Sequence, residues 1–375
     1  MRKERLNLLS LSIIACPRKS IISIKMTKRP TLQSVAEAAG VSSATVDRVF
    51  NGRLTVREGT ALRVIEAAER IGYHGAQLMR ERMRAQLGAI DAPRTLGFCL
   101  QKRADPFYQA FARILTETVT RHEPERCKAV IAYMDELDPA SIARTLLSLG
   151  EEADALGVVA VDHPHVTAAI ETLHAAGKPT VTLLSDLSAP LRAGYIGVDP
   201  RKSGRTAAWA VCRLTHRKAG TVGVFVGTPR YLGQESCEIS FRSYLREHAP
   251  GLRVLDTQIN LEDKQLAYEA TLAMLARHDD LAGLYIPGGG VGGVIRALRE
   301  EAIGRHIVTV CSDLMPDRHD ALVDGIIDLV IDTPLQQIAQ TAVLAMLRAL
   351  NTLPGETAQA SQYPLPAQLF TSENV

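Results

Sequence analysis

The chain lacks the residues that mark several function classes. Its six cysteines, at positions 16, 99, 127, 212, 237 and 311, form no C-x-x-C pair and no histidine spacing suited to zinc. They read as reduced thiols of a cytosolic protein rather than as a disulfide framework. No stretch reaches the roughly 18 apolar residues of a membrane span. There is no G-x-S-x-G elbow, and no serine has an identifiable histidine partner, so catalysis is not expected. Asp162-His163-Pro164-His165 offers imidazoles without a third ligand and reads as a turn, so no metal site is expected. The lone tryptophan, Trp209, lies mid-helix among Ala and Val and is expected in the core. Net charge is only +2, so any attraction to a polyanion must be local.

What is present is a soluble, multi-domain composition: 375 residues, 46% hydrophobic and 22% charged. Residues 31–50, TLQSVAEAAGVSSATVDRVF, fit two helices crossing at a tight turn. Such a crossing needs a small residue at the contact and a glycine in the turn, supplied by Ala36 and Gly40. Val35, Ala39, Val41, Val46 and Val49 fall inward, while Gln33, Glu37, Ser43, Ala44, Asp47 and Arg48 fall outward. Ser42 is placed to cap the second helix. Thr55-x-x-Glu58 then opens a third, with Leu62, Ile65, Ala68 and Ile71 at helical spacing before Gly72. An αα-hairpin in a core is the plain alternative, but a DNA-binding headpiece accounts for more positions at once. Lys28, Arg29, Arg48, Arg53 and Arg57, with arginines at 80, 82 and 84, supply the local positive charge.

These residues resemble the lactose/galactose repressor family, whose signature runs T-x-x-D-V-A-x-x-A-G-V-S-x-x-T-V-S-R-V-x-N. The resemblance implies that Ser43, Ala44 and Arg48 touch base edges, Arg48 as a bidentate donor to guanine, while Ser42, Thr45 and Asn51 hold phosphates. Two positions depart from it. Ser34 replaces Asp, and Asp47 replaces a small residue that faces DNA. A carboxylate there either accepts from a cytosine amino group or is neutralised by a neighbour such as Arg48. The family's hinge helix implies a proline and a minor-groove leucine, but here Gly75 and Arg82 stand at or near those places. Arg80 and Arg82 are then expected at phosphates or in a narrow minor groove, with a solvated linker helix as the alternative.

The first residues, MRKERLNLLSLSIIAC, are like a short signal peptide ending at a lipoprotein-type Cys16. Met26-Thr27-Lys28-Arg29-Pro30-Thr31 is how the family usually begins, so residues 1–28 are expected to be an extension or a mis-assigned start.

From Arg94 the pattern alternates strands, over 95–100, 128–133, 155–161, 180–184, 221–226, 281–286 and 307–311, with helices. That alternation implies parallel sheets, and its length implies two lobes. The body resembles the periplasmic sugar-binding-protein fold, which implies an effector in an interlobe cleft at the carboxyl ends of the strands. Crossings are expected near Gly194, Asp332 and Leu350. By position, Asp105, Phe107, Tyr108, Ser185, Asp186, Asp313 and Asp332 are nominated for the cleft, with capping or turn formation as each one's alternative. Where relatives carry a cleft arginine, this chain has Cys237-Glu238-Ile239-Ser240-Phe241, so Glu235, Glu238 or Arg242 is the expected substitute. Gly288-Gly289-Gly290-Val291-Gly292-Gly293 contains G-x-G-x-x-G after a strand, with Asp313 about 20 residues on. Its late position favours a cleft element over dinucleotide binding, and no cofactor is expected.

The expected architecture is therefore a small all-α helix-turn-helix headpiece (29–74), a hinge (75–93) and an α/β two-lobed periplasmic-binding-protein-like domain with parallel sheets (94–375), its first lobe 94–194 plus 332–350. The expected function is a cytoplasmic, homodimeric, operator-binding regulator, most simply a repressor, controlled by a sugar or polyol. An exported sugar-binding lipoprotein of a transport system and an NAD-dependent enzyme are the rivals.

Overall fold

The computed structural model describes residues 30–51, 56, 58–79, 93–122, 127–301, 304–351 and 361–375, in two compact units, Met1–Leu87 and Gly88–Val375. Residues 1–28, Thr55, Arg80, Arg82 and Arg84, and with them the leader, third-helix capping and hinge-contact expectations, lie outside the described residues.

In the first unit, α1 (Leu32–Ala39) begins with a capping box in which Thr31 and Ser34 exchange side-chain and backbone bonds. Ser34, in place of the family's Asp, thus serves the helix start. Gly40 ends α1 at φ 67°, and the Val41 N–H returns to the Ala36 carbonyl. Only a residue without Cβ reaches that left-handed turn cheaply. Ser42 then caps α2 (Ser43–Asn51), its Oγ accepting from the Thr45 N–H at 3.2 Å. Val35, Ala36, Val46 and Val49 are buried, as are Val64, Ile65 and Ala68 of α3 (Glu58–Arg70), which packs on α1 and α2, and Arg70 ties α3 to the Ala38 carbonyl at 3.0 Å. Gly75 lies against Phe50 and Tyr73, where an added Cβ would come within 2.7 Å of the Phe50 ring. The family's proline is replaced by a residue that lets two aromatics close over the backbone.

In the second unit the first lobe runs β1 (Arg94–Gln101), α4 (Pro106–His122), β2 (Cys127–Met134), α5 (Pro139–Glu152), β3 (Ala155–Val158), α6 (Pro164–Ala175), β4 (Thr180–Leu183) and β5 (Gly194–Val198). The second runs α7 (Pro200–Leu214), β6 (Gly220–Val226), α8 (Leu232–His248), β7 (Leu252–Val254), β8 (Gln258–Ile259), α9 (Lys264–Arg277), β9 (Leu281–Ile286), α10 (Val291–Glu301), β10 (Val308–Ser312), α11 (Pro316–Val323) and β11 (Leu329–Asp332). The chain then returns as α12 (Leu335–Leu350) and β12 (Ser361–Leu365), and ends in β13 (Gln368–Phe370).

The first sheet is ordered β12-β5-β4-β3-β1-β2 with every pair parallel. The second is ordered β13-β11-β10-β9-β6-β7, with β8 beside β6 and only β13 antiparallel. The central strands are almost entirely buried and largely apolar because helices cover both faces. Along β1, Leu96, Phe98 and Leu100 join Phe111, Ile338 and Met346 on one side, while Cys99 joins Ile142 and Leu146 on the other.

The strand order corrects two expected boundaries. The first crossing follows Val198 rather than Gly194, and β12 keeps the chain in the first lobe, so the last crossing falls between Leu365 and Gln368 rather than at Leu350. Pro364 is tolerated because β12 is an edge strand. Trp209 is 47% exposed and not a core residue, because α7 turns its Ala207, Ala208 and Val211 inward instead.

Candidate functional site

Each unit carries a candidate recognition surface. On the headpiece, Ser42, Ser43, Ala44, Asp47, Arg48 and Asn51 are exposed and Thr45 is half-buried. Ser43 donates to Gln33 of α1 at 2.5 Å, which fixes the first turn of α2 against its neighbour. Asp47 accepts from Asn51 Nδ2 at 2.8 Å, so its partner is the amide one turn on and not Arg48. The Arg48 guanidinium is left pointing to solvent on the same helix.

In the body, the carboxyl ends of the strands enclose a cleft of about 130 Å³ between the lobes, room for on the order of ten waters or one small molecule. Of the nominated residues, Asp105, Phe107, Tyr108, Ser185 and Asp313 line it. Asp105 caps the start of α4, accepting from the Phe107 N–H at 2.9 Å. Ser185 accepts from the Gly233 N–H of the opposite lobe at 3.0 Å. Two more bonds cross the cleft rim, from Lys102 Nζ to the Leu261 carbonyl at 2.7 Å and from the Asp162 N–H to the Arg230 carbonyl at 2.8 Å.

The other nominations have structural work elsewhere. Asp186 is gripped by both Arg192 nitrogens at 2.7 Å and accepts from Thr182 and Gln362, which pins the β4–β5 loop to β12. Burial pushes its carboxyl up, but those donors, Arg192 first, hold it below its ordinary value. Glu238 and Arg242 pair at 2.8 Å, and Arg242 reaches the Leu255 carbonyl and Thr257, clamping α8 to the 254–257 segment. Asp332 accepts from the Leu314 N–H at 2.7 Å; its neighbour Thr333 is the residue that reaches the cleft.

Residues not foreseen complete the lining, among them Gln234, Glu262 and Arg318. Arg318 brings a guanidinium to the cleft from α11, its Nη1 donating to Asp317 at 3.0 Å. Glu262 accepts from Gln234 Nε2 at 2.8 Å and from the Gly289 N–H at 3.4 Å. Its carboxyl is raised, chiefly by burial, against the lowering effects of Gln234 and Lys102. Asp313 is pushed up to about 6 by burial, with Asp332 and Glu262 adding to the rise and Thr333 and Arg318 opposing it. Cys237 also faces the cleft, but burial drives its thiol up to about 12 and leaves it inert.

Two signs of a functional site coincide here. Asp313 Oδ1, Arg318 Nε and the Tyr231 hydroxyl are buried without partners, a costly arrangement unless something supplies them. The non-glycine residues at positive φ among those described are Lys102, Leu184, Leu261, Glu262 and Asp313, and all of them sit at the cleft or its rim. The Gly288–Gly293 run is explained without a dinucleotide. A Cβ on Gly288 would lie 2.4 Å from Gln234 Nε2, one on Gly289 2.6 Å from Glu262, and one on Gly293 1.9 Å from the Lys264 carbonyl where α10 crosses α9. A carboxylate packed on the glycine loop also repels a pyrophosphate.

A surface-borne helix-turn-helix joined in one chain to a two-lobed ligand cleft defines a ligand-responsive DNA-binding protein. Residues 31–75 match the bacterial regulatory proteins of the lacI family, and residues 96–356 match the periplasmic binding protein domain. The chain belongs to that family of transcriptional regulators, with a periplasmic-binding-protein body. It is 24% identical over 358 residues to an uncharacterized HTH-type transcriptional regulator of Streptomyces limosus, covering 91% of this chain and 93% of that one. It is 25% identical to catabolite control protein A of Streptococcus mutans over 47% of this chain and 50% of that one. Among solved structures, a solute-binding protein of Agrobacterium vitis bound with α-D-tagatopyranose has a TM-score of 0.68 at 19% identity, over 75% of this chain and 96% of that one. One from Bacillus halodurans with bound myo-inositol has a TM-score of 0.66 at 17% identity, over 76% and 97%.

Proposed function

We propose that the protein is a homodimeric, cytosolic repressor whose operator affinity is set by a small sugar or polyol bound between the lobes of the body. The observation that carries the effector part is that three of the six buried polar atoms without partners among the described residues, Asp313 Oδ1, Arg318 Nε and Tyr231 OH, gather in one interlobe cavity. Of the nominated effector residues, Asp105, Phe107, Tyr108, Ser185 and Asp313 line the cleft, joined by Gln234, Glu262 and Arg318. An apolar ring face on Phe107 or Tyr108 with a rim of carboxylates suits a pyranose or cyclitol. The site works by binding rather than catalysis, with the Ser185 hydroxyl accepting from Gly233 across the cleft and the Cys237 thiol held protonated.

On the DNA side, Arg48, Ser43 and Ala44 read bases in the major groove while Ser42, Thr45 and Asn51 set register on phosphates. Dimerisation follows from the discrimination required, since one headpiece reads too few base pairs to stand out in a genome, and paired half-sites multiply the ratio. The effector changes DNA affinity through the lobe geometry, a coupling typically of about 1–3 kcal/mol. The test is a gel shift of the chain on its own upstream DNA, with and without sugars. Sequence-independent binding that survives Arg48→Ala would overturn the regulator reading at this surface.

A further inference from the structure

The cleft's unpartnered atoms are of both kinds. Asp313 Oδ1 accepts only, Arg318 Nε donates only, and the Tyr231 hydroxyl does either. A phosphate or carboxylate on the ligand would satisfy Arg318 and leave Asp313 facing like charge. An ammonium would satisfy Asp313 and leave Arg318 facing like charge. A hydroxyl donates and accepts at once, so a polyol completes both.

The charges around these atoms point the same way. Asp105, Glu262 and Asp313 bring three carboxylates to the lining against the single guanidinium of Arg318, which already holds Asp317 at 3.0 Å. The nearby Lys102 ammonium is turned to the Leu261 carbonyl at 2.7 Å. Glu262 is the least expected of the three. It sits at φ 55° beside Leu261 at φ 50°, on a loop that Lys102 holds from the opposite lobe. Gln234 and Gly289 occupy Oε1, and among the described residues no hydrogen bond is formed at Oε2. A strained backbone held by an interlobe bond is a device for presenting one particular side chain.

Resting on the effector reading above, we infer that the effector is an uncharged, hydroxyl-rich molecule and that Glu262 is the residue that rejects its phosphorylated and acidic relatives. Lys102 positions Glu262 for this role by fixing its loop across the cleft.

The test is calorimetric titration of the full chain and of Glu262→Gln with uncharged pentoses, hexoses and cyclitols, myo-inositol, D-tagatose and D-allose among them. Their phosphates, aldonic acids and amino sugars form the comparison set. At least one uncharged compound is expected to bind the native chain, with its charged derivatives at least tenfold weaker. Glu262→Gln is expected to shrink the neutral-to-anionic ratio at least tenfold, with circular dichroism unchanged. Glu262→Ala serves as the second variant if Glu262→Gln does not fold. Tighter binding of an anionic or amino compound, no binding by any member, or an unchanged ratio in a folded Glu262 variant overturns the inference. Loss of specific DNA binding by the native chain would instead sink the regulator reading, whichever sugars bind.

Discussion

On α2 the outward side chains stand in water and find nearby partners, Asn51 donating to Asp47 one turn back and Ser43 to Gln33 of α1. In the cleft the corresponding groups are enclosed, and several have no partner at all. The difference reflects what each surface meets. DNA brings dense charge and its own hydration, so a reader helix need only hold shape and expose donors. A small uncharged ligand brings little charge, and its affinity must come from polar groups kept dry and oriented beforehand. Hence the left-handed residues gather at the cleft, and the headpiece's positive φ angles among the described residues, at Gly40 and Gly72, fall on glycines at helix ends.

The sharpest break between the two surfaces is Arg48→Ala. Loss of a bidentate guanine contact costs about 1–3 kcal/mol per half-site, so a dimer is expected to lose about a hundredfold or more in specific affinity. Sugar-induced stabilisation of the body should be unaltered. Equal losses at both surfaces in parallel gel-shift and thermal-shift measurements would contradict the separation.

That separation also decided what could be read from the sequence. The DNA surface lies on twenty consecutive residues, and helical spacing alone sorts Val35, Val46 and Val49 from Ala44 and Arg48. Asp313 was legible because it directly follows a clear apolar strand. Glu262 was not: Asn260-Leu261-Glu262-Asp263 reads as an ordinary helix start, with Asp263 in fact capping α9, and nothing local announces two successive left-handed residues. Arg318 is not legible in the sequence because the resemblance points to α8 for a cleft arginine, where Glu238 and Arg242 pair with each other instead. The chain's return to the first lobe in β12 was obscured by Pro364 and Pro366, which look like loop residues unless the strand is known to be an edge.

Within the cleft, Asp313→Asn isolates the cost of enclosing a charge. Because the Asp313 carboxyl is raised to about 6 in the fold from 3.8, its contribution to stability is full below the ordinary carboxylate value and is lost as pH rises through about 6. The neutral amide avoids that loss. Ligand-free Asp313→Asn is therefore expected to match the native chain near pH 4 and to exceed it at pH 7.5 by on the order of 2 kcal/mol, allowing for water in the cleft. Urea unfolding at the two pH values measures the gap; a constant offset would refute the assignment. The same variant should lose sugar binding, so stability and function move in opposite directions.

Lys102→Met tests whether strain at the cleft depends on the bond across it. Removing one partly exposed charged donor costs about 1 kcal/mol, and the effect should appear as faster amide exchange around Leu261 and Glu262 with weaker sugar binding. Arg at this position should restore much of both. Unchanged exchange at the loop would show that the left-handed pair is held by its own lobe alone.

The smallest effect belongs to Asp47→Asn. The Asp47–Asn51 pair is exposed and spans one helical turn, a class of contact worth about 0.2–0.5 kcal/mol, so headpiece melting should hardly move. DNA binding should respond more, because a carboxylate is removed from the face that meets phosphates. Affinity for unrelated duplexes is expected to rise several-fold in 50 mM salt and the gain to shrink by 200 mM, as screening removes the repulsion that the native Asp47 exerts. Binding-site selection provides the contrary outcome: a preference for cytosine erased at one position would mean that Asp47 leaves Asn51 on the operator and reads a base, and the reader helix would then share the cleft's habit of recognising its target by an acceptor.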